Sequence, residues 1–266
     1  GLGDVYKRQL LHSLDKENFE KCEQYKAYDF VKEKQAQGLI KNIGFSFHGT
    51  VDDLKKIIAS HDWDFAQIQM NYLDWENQDA KTQYELLTQA GIPIIVMEPV
   101  RGGKLANDVP KKAVEQMKNH SPQSSIASWA IKFVASYKNV ITILSGMNST
   151  EQMQDNLNTL TDFQPMNDVE LKICKNTADL INKSDIISCT GCDYCADCPK
   201  SVKISTIFSV YNRYKNGELS LNESMEEYRK IDVNANACVS CGICKSHCPQ
   251  SIDIPKMLSK IKELYS

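Results

Sequence analysis

Eight cysteines in the C-terminal third of the chain have the spacing of ligands to an inorganic group. They form two runs, each with three cysteines separated by two residues and a fourth that is followed by proline. The runs are Cys189, Cys192, Cys195 and Cys198, and then Cys238, Cys241, Cys244 and Cys248. A tight loop with this spacing can direct three thiolates at three corners of an iron–sulfur cube. The spacing therefore predicts two 4Fe-4S clusters.

The distribution of the fourth cysteines predicts how the ligands are shared. The second run has the C-x2-C-x2-C-x3-C-P pattern of bacterial ferredoxins, and the first run has one residue fewer before its last cysteine. In two-cluster proteins the fourth cysteine of each run usually ligates the other cluster. We therefore predict one cluster held by Cys189, Cys192, Cys195 and Cys248, and another held by Cys238, Cys241, Cys244 and Cys198.

Zinc sites and disulfide bonds are the alternative uses of clustered cysteines. Zinc sites take cysteine pairs from separated loops, rather than four cysteines within ten residues. Disulfide frameworks are typical of small secreted domains, and the sequence has no secretory signal pattern. Eight of the ten cysteines belong to the runs, so we expect a reducing, cytoplasmic location. The other two, Cys22 and Cys174, are predicted to be small buried hydrophobic residues.

Bulk composition excludes several classes of partner. The 266 residues and 42% hydrophobic content are sufficient for one large domain or two. A net charge of −3 argues against nucleic acid or a membrane surface as a partner. No apolar run approaches the roughly 18 residues that a membrane span needs. We therefore expect neither a nucleic-acid nor a membrane partner.

Upstream of the cysteines, short apolar segments alternate with amphipathic ones. The predicted strands are residues 10–12, 40–46, 65–70, 93–98 and 140–145. The predicted helices are residues 16–37, 51–60, 80–90, 122–136 and 150–160. Strands separated by helices of this length pair in parallel through right-handed crossovers.

A doubly wound sheet and a (β/α)8 barrel both fit this alternation. Five strands in roughly 150 residues give about 30 residues for each βα unit, and a complete barrel of about 250 residues would have three further units at its N-terminus. No G-x-G-x-x-G motif follows a predicted strand, which weakens the Rossmann alternative. We predict an α/β fold in which residues 10–165 form a partial (β/α)8 TIM barrel, about the last five βα units. Residues 1–9 fit neither pattern and are interpreted as a non-native segment.

Residues 166–266 are predicted to form a small helical dicluster ferredoxin-type domain. A helix at 167–183 leads into it, and helices at 204–215 and 220–230 separate the two cysteine runs. A last helix, ending at Leu264, closes the domain.

The carboxyl ends of the predicted strands resemble motifs of the aldo/keto reductases, and specifically of their branch with a C-terminal dicluster domain. The matching segments, in family order, are LLH at 10–12, IGFSFH at 43–48, QIQMN at 67–71, EPVRGG at 98–103 and SGMNSTEQMQDN at 145–156. The resemblance implies a barrel that transfers hydride from NAD(P)H to a small carbonyl substrate.

The resemblance also implies a catalytic role for His12. Members of the family use an Asp-Tyr-Lys-His tetrad, in which Tyr protonates the carbonyl oxygen and His orients the substrate. His12 falls at the histidine position. The family places the other three on its first three strands, which we expect this sequence not to contain. Turnover by this chain alone is therefore not expected, because the acid and the lysine that tunes its pKa would both be missing.

Three residues are implied to hold the nicotinamide. Ser46 and Gln67 match the groups that hydrogen-bond its carboxamide and so select the ring face presented to the substrate. Met97 falls where many relatives place an aromatic ring against the nicotinamide.

The segment after the fifth predicted strand is implied to hold the rest of the cofactor. Its residues are Ser145, Gly146, Met147, Gln152, Asp155 and Asn156. Residues 145–149 precede a predicted helix N-terminus, whose free N–H groups favour a phosphate. Gln152 replaces an arginine that some relatives direct at a 2′-phosphate, so both NADH and NADPH stay open. Asp155 and Asn156 match the pair that contacts adenine.

Two-electron and one-electron chemistry must be joined if both halves are redox-active. A nicotinamide delivers a hydride, whereas each cluster passes one electron at a time. We predict an oxidoreductase in which an aldo/keto reductase-like barrel is fused to an electron-transfer domain, with a separate redox protein as a possible partner. The alternatives are an electron-transfer module whose barrel is a non-catalytic scaffold, and an inactive fragment whose open sheet edges favour aggregation.

Overall fold

The computed structural model describes residues 8–266, which form two compact units. The first unit comprises Gly1–Val100 and Ala127–Cys174, and the second comprises Arg101–Ile126 and Lys175–Ser266. Residues 1–7, within the segment interpreted as non-native, lie outside the described residues. Arg8 and Gln9 belong to that segment too, but they begin the first strand and pair with Asn42 and Ile43.

One sheet of five parallel strands forms the centre of the first unit, as the sequence predicts. The strands are Arg8–Leu14 (β1), Asn42–Phe47 (β2), Phe65–Gln69 (β3), Ile94–Met97 (β4) and Val140–Ile143 (β5). Their order in the sheet is their order in the chain, and every neighbouring pair is parallel. This arrangement is that of consecutive βα units.

Helices follow the strands and make up most of the second unit. They are Lys16–Gln24 (α1), Ala27–Ala36 (α2), Val51–Ser60 (α3), Asp74–Asn77 (α4), Ala80–Gln89 (α5), Lys104–Asn107 (α6), Lys111–His120 (α7), Ile126–Ala135 (α8), Thr150–Leu160 (α9), Asp168–Lys183 (α10), Ile204–Lys215 (α11), Leu221–Arg229 (α12), Ile243–Ser246 (α13) and Ile254–Leu264 (α14). A 3₁₀ turn covers Ala235–Ala237. Across residues 8–266, no helix is both long enough and apolar enough to cross a membrane.

The interior strand β2 is buried on both faces. Its residues Ile43, Phe45 and Phe47 are at most 2% exposed, and Gly44 and Ser46 between them are buried as well. A nearly continuous buried run of this kind is typical of parallel strands, which helices cover on both faces. Helix α2 packs against β1 and β2, and α5 packs against β3.

Local signals account for the helix boundaries. Helix α3 begins at a Thr50–Asp53 capping box, in which each residue's side chain accepts a hydrogen bond from the other's backbone N–H. The single helix predicted at 16–37 is instead two helices. Lys26 adopts a left-handed conformation, with φ of 52°, and separates α1 from α2. A lysine gives no sequence signal for such a break.

Segment Arg101–Ile126 joins the second unit, although the sequence analysis placed it in the barrel portion. Two contacts within the second unit account for the difference. The Arg101 guanidinium donates a hydrogen bond to Gln250, and Gly102 lies against Thr190. These contacts link residues far apart in the sequence, so the local pattern cannot reveal them.

The second unit is built around helices α11 and α14. Ile204, Ile207, Phe208 and Tyr211 recur at the i, i+3, i+4 and i+7 positions of α11, and all are at most 3% exposed. Leu258 and Ile261 of α14 lie in the same cluster, and cysteines of both runs pack against it. The predicted helical character of the C-terminal region is confirmed.

Gly44 provides a test of the packing between β2 and β3. A Cβ atom at this position would overlap the carbonyl oxygen and the ring of Phe65. We expect Gly44→Ala to lower the free energy of unfolding by about 1–3 kcal/mol, because a buried sheet cannot absorb the extra volume without moving. The measurement is denaturant unfolding of the chain followed by circular dichroism.

Gly146→Ala is the matched control, since nothing lies within 4 Å of its added Cβ. Its effect on stability should stay within about 0.5 kcal/mol. Equal losses for the two variants would contradict the close packing described for β2 and β3.

Candidate functional site

The two cysteine loops have the same backbone path. Left-handed residues occur at three equivalent pairs of positions, with φ between 52° and 82°. The pairs are Gly191 and Ser240, Asp193 and Gly242, and Ser201 and Ser251. Non-glycine residues rarely adopt this conformation. Its repetition at equivalent positions therefore indicates that both loops are shaped for the same ligand.

The first left-handed residue of each loop turns its N–H back towards a sulfur. Gly191 N lies 3.4 Å from Cys189 Sγ, and Ser240 N lies 3.5 Å from Cys238 Sγ. A backbone N–H that donates to sulfur stabilises a thiolate, and such hydrogen bonds tune iron–sulfur centres.

The four cysteines predicted for the first cluster line one cavity of the second unit. We call this set the first cage, and its members are Cys189, Cys192, Cys195 and Cys248. Apolar side chains such as Ile204 and Phe208 form part of the cavity wall. Residues from both runs therefore meet at one place, although they are separated by about 50 positions in the chain.

The surroundings of the first cage oppose the formation of thiolates. Burial raises the pKa of Cys195 to about 12, and repulsion from Cys189 and Cys192 adds to the effect. Burial also raises the pKa of Cys189, with smaller contributions from Cys192 and Cys248. A thiolate in this cage needs a nearby positive charge.

The other four cysteines also lie near one another, and we call them the second cage. They are Cys198, Cys238, Cys241 and Cys244. Cys244 is 8% exposed, and burial raises the pKa of its thiol. Repulsion from Cys238, Cys198 and Cys241 contributes further. Cys198 of the first run is thus a neighbour of the second run's cysteines.

The donor chemistry of the two cages fits an iron–sulfur cluster in each. Soft thiolates select such clusters, and four are needed for each cube. Within residues 8–266, no three His, Cys, Asp or Glu side chains converge closely enough to hold a single metal ion. The sulfurs of the first cage instead surround a space.

The residues implied to hold the nicotinamide lie on three adjacent strands of the first unit. Ser46 and Gln67 are register partners in β2 and β3, so their side chains point to the same side of the sheet. Gln67 pairs with Ile95 in β4, and Met97 follows two residues later on that same side. Gln67 Nε2 lies 3.4 Å from Met97 Sδ.

His12 lies at the carboxyl end of β1, beside this group. It is exposed, and the next residue, Ser13, donates its N–H to Ser46 Oγ at 2.6 Å. Desolvation of the His48 ring lowers the pKa of that histidine, and repulsion from His12 lowers this pKa further. The structure thus brings His12, Ser46 and His48 together at the carboxyl ends of β1 and β2.

The segment at 145–156 forms a turn that leads into α9. Asn156 Nδ2 donates to Ser145 Oγ at 3.0 Å, and Ser149 caps α9 by accepting from Gln152 N. The Gln152 side chain accepts from the Asn148 N–H at 2.9 Å. Of the remaining residues implied to bind the cofactor, Gly146 and Met147 are exposed and Asp155 is half-buried.

The sequence analysis missed a buried polar network after β3. Asn71 Nδ2 donates to Asp74 at 2.6 Å and to the Glu98 carbonyl at 3.0 Å, and Gln69 Nε2 donates to Asp74 at 2.7 Å. Glu98 has a positive φ of 56° and directly follows Met97. The network therefore fixes the backbone next to an implied nicotinamide contact. The Asn-x-x-Asp spacing, typical of a side-chain-capped turn, was the available signal.

Comparisons with known proteins agree with this organisation. Residues 9–179 match the model of the aldo/keto reductase family, and residues 188–252 match that of a 4Fe-4S dicluster domain. No curated protein matches the chain.

Several solved structures are similar to the chain. An aldo-keto reductase from Bacillus halodurans is 16% identical, with a TM-score of 0.49, over 64% of this chain and 61% of that one. A thermostable aldo-keto reductase in complex with the inhibitor epalrestat is 19% identical, with a TM-score of 0.49, over 64% and 59%. An aldose reductase from Giardia lamblia is 18% identical, with a TM-score of 0.43, over 57% and 49%.

These alignments span about half to three fifths of the solved relatives. The first family match, at residues 9–179, spans well over half of this chain and contains all five strands except the first residue of β1. The chain therefore belongs to the aldo/keto reductase family, and its family domain is followed by a 4Fe-4S dicluster domain.

Proposed function

We propose that the family domain serves an NAD(P)H-dependent reduction of a small carbonyl substrate, to which this chain contributes His12 of the catalytic tetrad, and that the protein carries two 4Fe-4S clusters for electron transfer. The observation that carries the proposal is the first cage, in which cysteines from two separate runs line one cavity. It occurs in a chain that belongs to a reductase family. Cytoplasmic location is part of the proposal, because eight of the ten cysteines belong to the two runs and must stay reduced to bind iron.

The residues of the second unit would hold each cluster and restrict its contact with water. The first cage takes Cys189, Cys192, Cys195 and Cys248 as ligands, and the second cage takes Cys198, Cys238, Cys241 and Cys244. A bound 4Fe-4S cluster accepts or donates one electron at a time. A separate redox protein is the proposed partner for these electrons.

The residues of the first unit would position the nicotinamide and the substrate. A bound nicotinamide supplies the hydride. The Ser46 hydroxyl accepts the Ser13 N–H and keeps its own proton available for a carboxamide oxygen. Gln67 offers an amide from the same side of the sheet, and Met97 packs beside it. His12 is proposed to orient the carbonyl group.

The turn at 145–156 is proposed to hold the remainder of the dinucleotide. Helix α9 has 11 residues, and its N-terminal N–H groups favour a phosphate. The Ser145–Asn156 hydrogen bond fixes the turn against the helix. Asp155 and Asn156 are the proposed adenine contacts.

Cysteine variants test the clusters and the crosswise sharing of ligands. Chain purified without oxygen should contain about eight irons and eight sulfides, because two cubes are expected. Cys192→Ser and Cys248→Ser should both alter the first cluster, whereas Cys241→Ser and Cys198→Ser should both alter the second. Iron analysis and a redox titration followed by electron paramagnetic resonance make the measurement.

Cys22→Ser is the control, since Cys22 lies outside both runs and should leave about eight irons. A preparation that contains only zinc would overturn the cluster proposal. If Cys198→Ser altered the same cluster as Cys192→Ser, the crosswise sharing of ligands would be wrong. The proposal that the chain binds two clusters would not be affected.

Binding of NADH and NADPH tests the nicotinamide site without requiring turnover. Ser46→Ala and Gln67→Ala should each weaken binding by about 0.5–1.5 kcal/mol, roughly two- to tenfold, because each removes one hydrogen bond. Isothermal titration calorimetry on the cluster-loaded chain gives the dissociation constants.

Gln89→Ala is matched to Gln67→Ala, since Gln89 is an exposed glutamine at the end of α5. Its affinity for nicotinamide should equal that of the unaltered chain. Unchanged binding in both site variants would refute the placement of the nicotinamide on β2 and β3. Loss of the clusters would not explain that result, because Ser46 and Gln67 lie in the first unit and the cluster cysteines lie in the second.

A further inference from the structure

Two neighbouring residues of the loop after β4 contact the two chain segments that supply the first cage. We call Arg101 and Gly102 the brace. Arg101 is 4% exposed, and its Nη2 donates to Gln250 Oε1 at 2.6 Å. Gln250 follows Cys248 by two residues. Gly102 lies against Thr190, which directly follows Cys189. The brace thus holds the first run and the Cys248 segment together.

The contact at Gly102 requires glycine. A Cβ atom there would lie 2.6 Å from the Thr190 carbonyl oxygen and 2.9 Å from Thr190 Cβ. Arg101, Gly102 and the following residue, Gly103, are all left-handed, with φ of 52°, 63° and 88°. Successive left-handed residues persist only where the surrounding contacts specify them. The close approach to Thr190 is such a contact.

Gly102 of the brace also lines a second cavity, which reaches Cys189. Gly103, Lys104 and Arg213 are among the other residues of its wall. Displacement of the brace would therefore change the access of water to the first cage. Solvent exposure and nearby hydrogen bonds are the factors that set the potential of an iron–sulfur cluster.

The second cage has no counterpart of these contacts among the equivalent described residues. By the repeat of the two runs, Val239 corresponds to Thr190 and Lys200 corresponds to Gln250. Val239 is 57% exposed and Lys200 is exposed, whereas Gln250 is 9% exposed. Two loops with the same backbone path therefore differ in what covers them.

We propose that the brace is a positioning element for the first cluster alone. It fixes the Cys189–Cys195 loop relative to Cys248, and so sets the retention and the reduction potential of that cluster. The second cluster is independent of it. This inference rests on the proposed binding of two clusters, and Arg101, Gly102 and Gln250 act through the loops that carry the ligands.

The test compares the two clusters within one protein. The full chain is purified without oxygen, and the Cys192→Ser and Cys241→Ser variants identify which redox transition belongs to which cluster. In Gly102→Ala and Arg101→Met, the transition of the first cluster should shift and that of the second should not. An iron chelator should remove about four of the eight irons roughly tenfold faster than from the unaltered chain.

Matched variants separate the brace contact from general strain. Gly103→Ala also places a side chain at a left-handed glycine, but its Cβ meets only Asn107 Nδ2, at 3.4 Å. It should leave both transitions in place. Arg101→Lys should shift the first transition less than Arg101→Met does, because lysine keeps a donor for Gln250. Gln250→Ala should shift the same transition as Arg101→Met, and the double variant should shift it no further.

Equal shifts of both transitions, a shift of the second alone, or no shift would overturn the inference. If Gly102→Ala does not fold, Arg101→Met and Gln250→Ala still decide, because neither introduces a backbone clash. Absence of clusters from the unaltered chain would instead overturn the proposed function. The two failures are therefore distinguishable.

Discussion

The organisation of the C-terminal unit depends on a conflict between burial and charge. Iron is bound by thiolates, yet burial raises the pKa of Cys195 to about 12 and also raises those of Cys189 and Cys244. Repulsion between neighbouring cysteines increases each shift. A positively charged core among the sulfurs removes the conflict, because it supplies the charge that the apolar surroundings lack. Assembly of the proposed clusters is therefore expected to be linked to the folding of this unit, as in other small metal-binding domains.

The cost of closing a long loop explains why the unit needs helices between its cysteine runs. Cys195 and Cys248 must meet although more than 50 residues separate them, and closing such a loop costs conformational entropy. Burial of α11 and α14 offsets this cost, since Phe208, Tyr211, Leu258 and Ile261 are at most 1% exposed. The cysteines pack against that cluster. The hydrophobic core and the two cages are consequently parts of one structure.

Local patterns in the sequence predict much of this molecule, and long-range contacts account for what they miss. Strand alternation and the cysteine spacing involve residues that are close in the chain, and the alternating strands are present as predicted. Reading strand ends places Ser46, Gln67 and Met97 on one side of one sheet, because parallel register aligns them. The left-handed Lys26 and the allocation of Arg101 to the second unit have no local signature. The Asn71 network has a local part, the Asn-x-x-Asp turn, but its bond to the Glu98 carbonyl is long-range.

In the two cysteine loops, long-range contacts that the local sequence does not predict bear on function. Gly191 and Ser240, Asp193 and Gly242, and Ser201 and Ser251 adopt equivalent conformations, so local sequence specifies two similar loops. Their surroundings differ, because Thr190 lies against Gly102 whereas Val239 is exposed. Two clusters with the same number and type of ligands would then experience different hydration and different rigidity. Inequivalence of this kind gives electron transfer a direction, since it separates the potentials of otherwise similar centres. The difference arises from Arg101 and Gly102, which the cysteine motif does not contain.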